Sequence, residues 1–238
     1  MNDRTALVTG ANKGIGKQIA RLLAAEGFTV YVGSRDAERG RRASEEIGDA
    51  ARPLVLDVTD PDGVAAAARR VDRLDVLVNN AGISPSLALP AESGADEFRR
   101  TYETNVFGVV TVTNAFLPAL RRSPRPRIVN VSSGTGSLTW STGPNPQFAH
   151  GHGGAAAYRS SKTALNALTV LYAQTLAEEN FKVNALAPGL RATDLNGRAA
   201  AASGDPAEAA QGAVRLALLP EDGPTGGFFS WDGTPVPW

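Results

Sequence analysis

The chain has 238 residues and no cysteine. This excludes disulfides, thiolate metal ligands and cysteine nucleophiles together, and it fits a reducing compartment, so a cytoplasmic location is expected. A surplus charge is also missing, because 24 Lys and Arg are cancelled by 24 Asp and Glu. A neutral chain has no general attraction for nucleic acid or for an anionic membrane surface. No apolar run approaches the length that crosses a bilayer. Met1-Asn2-Asp3-Arg4 leads directly into a short apolar strand, so no signal peptide is expected. A Gly-Lys-Ser/Thr loop is absent as well, which excludes a nucleoside-triphosphatase phosphate site.

What is present has the pattern of a layered α/β protein. A hydrophobic fraction of 42% with 20% charged residues is ordinary globular composition. The length suits one large α/β domain over residues 1–238. Short apolar runs recur at Ala6–Val8, Thr29–Val32, Leu54–Leu56, Val76–Val78, Arg127–Val131, Val183–Ala187 and Gly227–Phe229. Such runs suit strands covered on both faces, as in parallel sheets. Segments of helical period lie between them. Asp36 is placed to cap a helix running to Ile47, and Asp60-Pro61 reads as a helix start. The alternation predicts a doubly wound, Rossmann-type parallel sheet with helices on both faces. One stretch breaks the pattern: Gly134–Gly154 holds six glycines, two prolines and both histidines.

The first strand runs into Thr9-Gly10-Ala11-Asn12-Lys13-Gly14-Ile15-Gly16 and then a helix. Glycines at a strand-to-helix turn admit a pyrophosphate close to the backbone, and the helix N-terminus offers free N–H groups. The spacing Gly-x-x-x-Gly-x-Gly differs from the usual Gly-x-Gly-x-x-Gly, so position in the chain carries the argument more than pattern does. The second strand ends Ser34-Arg35-Asp36, and Asp36 lies twenty positions after Gly16. Counting alone would match Asp36 to the ribose of NAD. Asp36 is better placed to cap the next helix, while Arg35 and Lys13 supply cations for a 2′-phosphate. NADPH is therefore expected in preference to NADH.

Three further segments carry chemistry. Asn79-Asn80-Ala81-Gly82 and Asn130-Val131-Ser132-Ser133 end strands where an open sheet places its crevice. Tyr158 and Lys162 lie four apart on a helix that continues through Leu165, Leu168 and Leu171, so they share one face. A nearby ammonium favours the phenolate, which suits a tyrosine to proton transfer with a carbonyl/alcohol pair. Tyr-x-x-x-Lys alone is common and mostly structural; its weight comes from the order of the other motifs.

With these residues in this order, the chain resembles a short-chain dehydrogenase/reductase, and its glycine turn resembles that of the NADPH-dependent carbonyl reductases. The resemblance extends from Leu7 to about Phe229. It implies seven parallel strands in the order 3-2-1-4-5-6-7. It also implies Tyr158 as the acid/base, with Lys162 lowering its pKa and holding the nicotinamide ribose. Ser133, rather than Ser132, would orient the substrate oxygen, and Asn105 would support a proton-relay water. The cofactor would meet Gly10, Asn12, Lys13, Gly14, Ile15, Gly16 and Arg35, then Asp57 and Val58 at adenine and Asn80, Ala81 and Gly82 near the ribose. Pro188, Gly189 and Thr193 would hold the carboxamide end. The activity implied is reversible reduction of a ketone or aldehyde by hydride transfer. The alternatives are a ketoreductase or imine reductase tailoring enzyme and, from another class, an NADPH-binding sensor without chemistry.

Two features depart from the family pattern. Arg191 stands where an aliphatic residue, often Val, is usual. Ser133 and Tyr158 are 25 positions apart, which marks residues 134–154 as an insertion beside the site. Insertions at this place leave the oligomeric state open, as monomer or homo-oligomer. His150 and His152 lack further ligands at metal spacing, so no metal is expected. Trp140 and Phe148 fit either a substrate wall or ordinary packing. The basic run Arg121–Arg127 reads as a solvated loop, and the aromatic tail of Phe228, Phe229, Trp231 and Trp238 reads as packing against the core or a partner. Ile83, Leu87, Leu89 and residues 190–195 suggest a neutral, apolar carbonyl substrate.

Overall fold

The computed structural model describes residues 4–144 and 153–238. Seven strands form one sheet: β1 (Thr5–Val8), β2 (Thr29–Ser34), β3 (Ala51–Val55), β4 (Val76–Asn79), β5 (Arg127–Val131), β6 (Lys182–Ala187) and β7 (Phe228–Ser230). All neighbours pair in parallel, in the order 3-2-1-4-5-6-7. Between them run α1 (Gly14–Ala25), α2 (Ala37–Ile47), α3 (Pro61–Ala68), α4 (Ala95–Tyr102), α5 (Gly108–Leu120), α6 (Leu138–Thr142), α7 (Ala156–Thr175), α8 (Gly197–Ala200) and α9 (Pro206–Ala217). The doubly wound parallel sheet expected from the alternation is observed, in the strand order that the family resemblance implied.

Side chains alternate across the strands and so divide the core in two. Ala6, Val8, Val30, Val32, Val76 and Val78 face Ile19 and Leu23 of α1 and Ala210, Ala213 and Val214 of α9. Leu7, Leu77, Ile128 and Val183 face the other way, against Val64 of α3 and Val112 and Phe116 of α5. Every position of β4 and β5 is buried, because both faces are covered. The chain order reverses at β1, which lies between β2 and β4, so a crevice opens beyond the carboxyl ends of these strands.

Three local expectations need correction. The third strand starts at Ala51, earlier than its apolar run, and includes exposed Arg52 and Pro53. As an edge strand it pairs only with β2, so a proline and polar residues are tolerated there. Asp36 caps α2 as expected, accepting from Arg39 N at 2.9 Å, but Asp60 makes no side-chain cap and α3 begins on Pro61 alone. The basic run is only partly a solvated loop. Arg121, Arg122 and Arg125 are exposed and paired with Glu179, Asp72 and Glu221. Arg127, by contrast, is 2% exposed, with its guanidinium donating to the carbonyls of Leu219, Pro126, Asn180 and Pro220.

Candidate active site

A cleft of about 450 Å³ opens at the carboxyl end of the sheet. Its floor is the glycine turn. Gly10 and Gly14 have φ of +63° and +56°, a region that favours glycine. Gly16 is required for a different reason, since a Cβ there would lie 2.3 Å from Asn80 Nδ2 and 2.7 Å from Gly10 O. The first turn of α1 has no side-chain cap and no acidic residue, so its N–H groups and partial positive charge face the cleft. Gly10, Asn12, Lys13, Gly14, Ile15 and Gly16 all line the cleft, which makes it a cradle suited to a pyrophosphate.

Around that floor, Arg35, Asp57, Val58, Asn80, Ala81, Gly82, Pro188 and Thr193 also line the cleft. Asn80 does more than border it. Its Nδ2 donates to Thr9 O at 2.9 Å and Gly10 O at 3.3 Å, while Thr9 Oγ1 accepts from the backbone N–H groups of Asn80 and Ala81. The asparagine thus ties the end of β4 to the glycine turn. Arg35 is exposed and, among the described residues, has no acidic partner. Asp36 is committed to capping α2 and to an ion pair with Arg39 at 3.3 Å. Lys13 reaches across the mouth to Asp194, with Nζ–Oδ2 at 3.0 Å and both side chains mostly exposed.

Tyr158 and Lys162 lie one turn apart on α7, and both line the cleft. Lys162 is 4% exposed; its Nζ donates to Val131 O at 2.8 Å and lies 5.7 Å from the centre of the Tyr158 ring. Among the described residues no carboxylate compensates its charge, and burial depresses its pKa to about 8. Tyr158 also differs from the expectation of a lowered pKa. Burial pushes its phenol up, and a hydrogen bond from Ser133 acts in the opposite direction. Tight packing brings α7 this close to the sheet, because Gly136 lies where a Cβ would be 2.8 Å from the Lys162 carbonyl carbon.

The two serines have separate environments. Ser132 Oγ is turned into α7, donating to Asn166 Oδ1 at 2.6 Å and to Lys162 O at 3.3 Å. Ser133 Oγ bonds Thr135 Oγ1 at 2.8 Å and acts on the Tyr158 phenol, although Ser132 rather than Ser133 is among the residues lining the cleft. Asn105 is fully buried in a π-helical turn, Glu103–Phe107, between α4 and α5. Its Oδ1 accepts from Ile83 N at 2.9 Å, and its Nδ2 donates to Ile83 O and Ser161 Oγ, each at 3.0 Å.

Other expectations separate here. Gly189, at φ +73°, forms the turn after β6 without lining the cleft. Ile83 and Leu195 line the cleft, whereas Leu87, Leu89 and Leu190 do not, and Leu87 and Leu190 are exposed. Trp140 packs on Ala185, Ala187, Phe228 and Val236, so it belongs to the core beside β7. Trp238 stacks on Phe228 with ring centres 5.3 Å apart. Phe148, His150 and His152 lie outside the described residues. Sequence reasoning missed Arg39, Arg100 and Thr104 on the cleft wall, and it placed Asp194 there only within the stretch 190–195, read as apolar. Arg100 and Thr104 are four apart just before Asn105, a helical spacing that could have pointed to them. Asp194 follows Thr193 directly and has the sign that complements Lys13. Among the described residues no group of three His, Cys, Asp or Glu converges on a metal site, and no helix is long and apolar enough to cross a membrane.

A family model described as short chain dehydrogenase matches residues 4–203. The (−)-isopiperitenone reductase of Mentha piperita is 36% identical over 96% of this chain and 96% of its own. The NADPH-bound carbonyl reductase from chicken fatty liver has TM-score 0.85 at 28% identity, with all of both chains covered. A 3-ketoacyl-(acyl-carrier-protein) reductase from Brucella melitensis, complexed with NADH, has TM-score 0.82 at 26% identity over 95% of this chain and 96% of that one. Structures of this shape therefore carry either nicotinamide cofactor, and the fold alone does not choose between them. With the sheet order, the cleft and these matches together, the chain belongs to the short-chain dehydrogenase/reductase family of oxidoreductases.

Proposed function

We propose that the protein is an NADPH-dependent carbonyl reductase, acting in the cytoplasm as one catalytic domain over residues 1–238. Its reaction is the reversible reduction of a ketone or aldehyde to the alcohol. The supporting observation is that Tyr158 and Lys162 share a cleft with an uncapped helix N-terminus, while Ser133 lies beside the tyrosine. The glycine cradle, Lys13 and Arg35 fit a dinucleotide bearing a 2′-phosphate. The commitment of Asp36 to α2 and Arg39 favours NADPH over NADH, because that carboxylate is already used.

When bound, the nicotinamide supplies or accepts the hydride. Ser133 donates a hydrogen bond to the substrate oxygen. Tyr158, kept protonated by burial, gives its proton to that oxygen as negative charge develops. Lys162 stabilises the phenolate left behind and binds the nicotinamide ribose. Its position is fixed by Val131 O. Asn105 acts as a positioning residue, holding the loop at Ile83 against Ser161 of α7. Ile83, Pro85 and Leu195 offer mainly apolar walls to a neutral substrate.

The test is consumption of NADPH and, in parallel, NADH against a panel of ketones, aldehydes and cyclic imines. Turnover of a carbonyl with NADPH preferred is the expected result. Dinucleotide binding without turnover of any panel member would favour the sensor reading.

A further inference from the structure

Arg191 is the residue whose family position calls for an aliphatic side chain, and it is 7% exposed. Its guanidinium does not enter the cleft. Nε donates to Pro188 O at 2.7 Å, Nη1 pairs with Glu208 on α9, and Cζ lies 4.4 Å above the Trp231 ring. The surroundings are shaped to this side chain. A Cβ on Gly204 would lie 3.0 Å from Arg191 Nη1 and 2.4 Å from Leu190 O. Trp231 is itself fixed, donating its backbone N–H to Ala187 O at the end of β6 at 2.9 Å. One buried cation therefore braces the turn after β6 against both α9 and the segment after β7.

We propose that Arg191 is a positioning residue for the nicotinamide half of the cofactor. Pro188 and Thr193, at the two ends of this turn, line the cleft, with Thr193 facing Gly14 of the glycine turn, and the arginine holds the turn between them from behind. The inference rests on the dinucleotide reading above. A planar guanidinium can donate to a carbonyl, pair with a carboxylate and stack on an indole at once; an ammonium lacks that fork and plane. Holding the wall in its bound shape before binding reduces the ordering cost of association. The adenosine half, which meets the glycine turn and Arg35, does not depend on this brace.

The experiment compares two ligands on wild type and Arg191→Lys: NADPH, and adenosine 2′,5′-bisphosphate, which lacks the nicotinamide half. NADPH affinity is expected to fall about tenfold in the variant, with bisphosphate affinity unchanged within about twofold. The KM for NADPH should rise in step with the lost affinity. Glu208→Gln should shift NADPH in the same direction by a smaller factor, and it carries the comparison if Arg191→Lys does not fold. Equal loss for both ligands, or no loss for either, overturns the inference while leaving the dinucleotide reading intact. A wild-type protein that binds neither ligand overturns both.

Discussion

Buried charges lie at both ends of the sheet, and they are handled in opposite ways. At the amino end Asp75, 6% exposed, accepts from Thr5 N at 2.8 Å, Ser123 Oγ at 2.6 Å and Arg73 Nη2 at 2.9 Å. Burial alone would raise its pKa, but these three donors outweigh it and hold the carboxyl below its ordinary value. Nearby, Arg127 is surrounded by four carbonyls. At the carboxyl end Lys162 is as deeply buried but has, among the described residues, one carbonyl partner and no counter-ion, and its pKa falls to about 8. A buried charge with its bonding capacity filled is part of the fold, and stripping it of a partner is destabilising. A charge left short of partners and facing a cleft is available to chemistry.

Substitutions that break this contrast should have graded effects. The largest is expected for Tyr158→Phe, which removes the proton donor: turnover should fall by about 1,000-fold while NADPH binding, followed by fluorescence titration, stays near wild type. Retained turnover would falsify the assignment of Tyr158. Lys162→Met should reduce turnover by about 100-fold. It should also reveal the lysine's linkage to pH. The folded pKa of about 8 is below the ordinary 10.5, so between these values the unfolded chain holds more protons and stability rises with pH. The wild type should gain stability relative to Lys162→Met across that window, by at most ~3 kcal/mol, in denaturant titrations at several pH values.

At the amino end the expectation reverses. Asp75→Asn should cost ~3 kcal/mol in denaturant unfolding and leave kcat and KM of the folded enzyme unchanged. Its folded pKa is depressed, so its contribution is full above the unfolded carboxylate pKa and is lost as pH falls through the folded value. The stability gap between wild type and variant should therefore be widest above the ordinary carboxylate pKa and narrow as pH falls through the folded value. An altered kcat in Asp75→Asn would remove the contrast between the two ends. The smallest effect is expected for Asp194→Asn. Freeing Lys13 from this exposed pair should tighten NADPH binding by about threefold, measurable by calorimetry at low ionic strength.

Legibility in the sequence followed the range of the physics involved. Strands covered on both faces announced themselves as apolar runs, and Asp36 capped the helix it precedes. The start of the edge strand Ala51–Val55 escaped, because exposure at Arg52 and Pro53 removes the apolar signal. The π-helical turn around Asn105 has no local signature, since it depends on how α4 and α5 meet the loop at Ile83. The tyrosine's raised pKa was equally hidden. Four-residue spacing brings an ammonium near a phenol, but burial of both groups is set by residues far away in the chain.

Period, punctuation and motif order were enough to specify a doubly wound parallel sheet, a glycine turn after its first strand and a tyrosine and lysine on one helical face. Each of these depends on residues within a few positions of one another, where backbone geometry dictates the outcome. Folding alone decided that Arg191 turns away from the cleft onto Trp231 and Glu208, that Asn80 is tied to the glycine turn, and that Lys13 meets Asp194. Those contacts join positions 17 to 181 residues apart. The partners of a buried or cleft-facing group come from whichever elements the sheet order brings beside it.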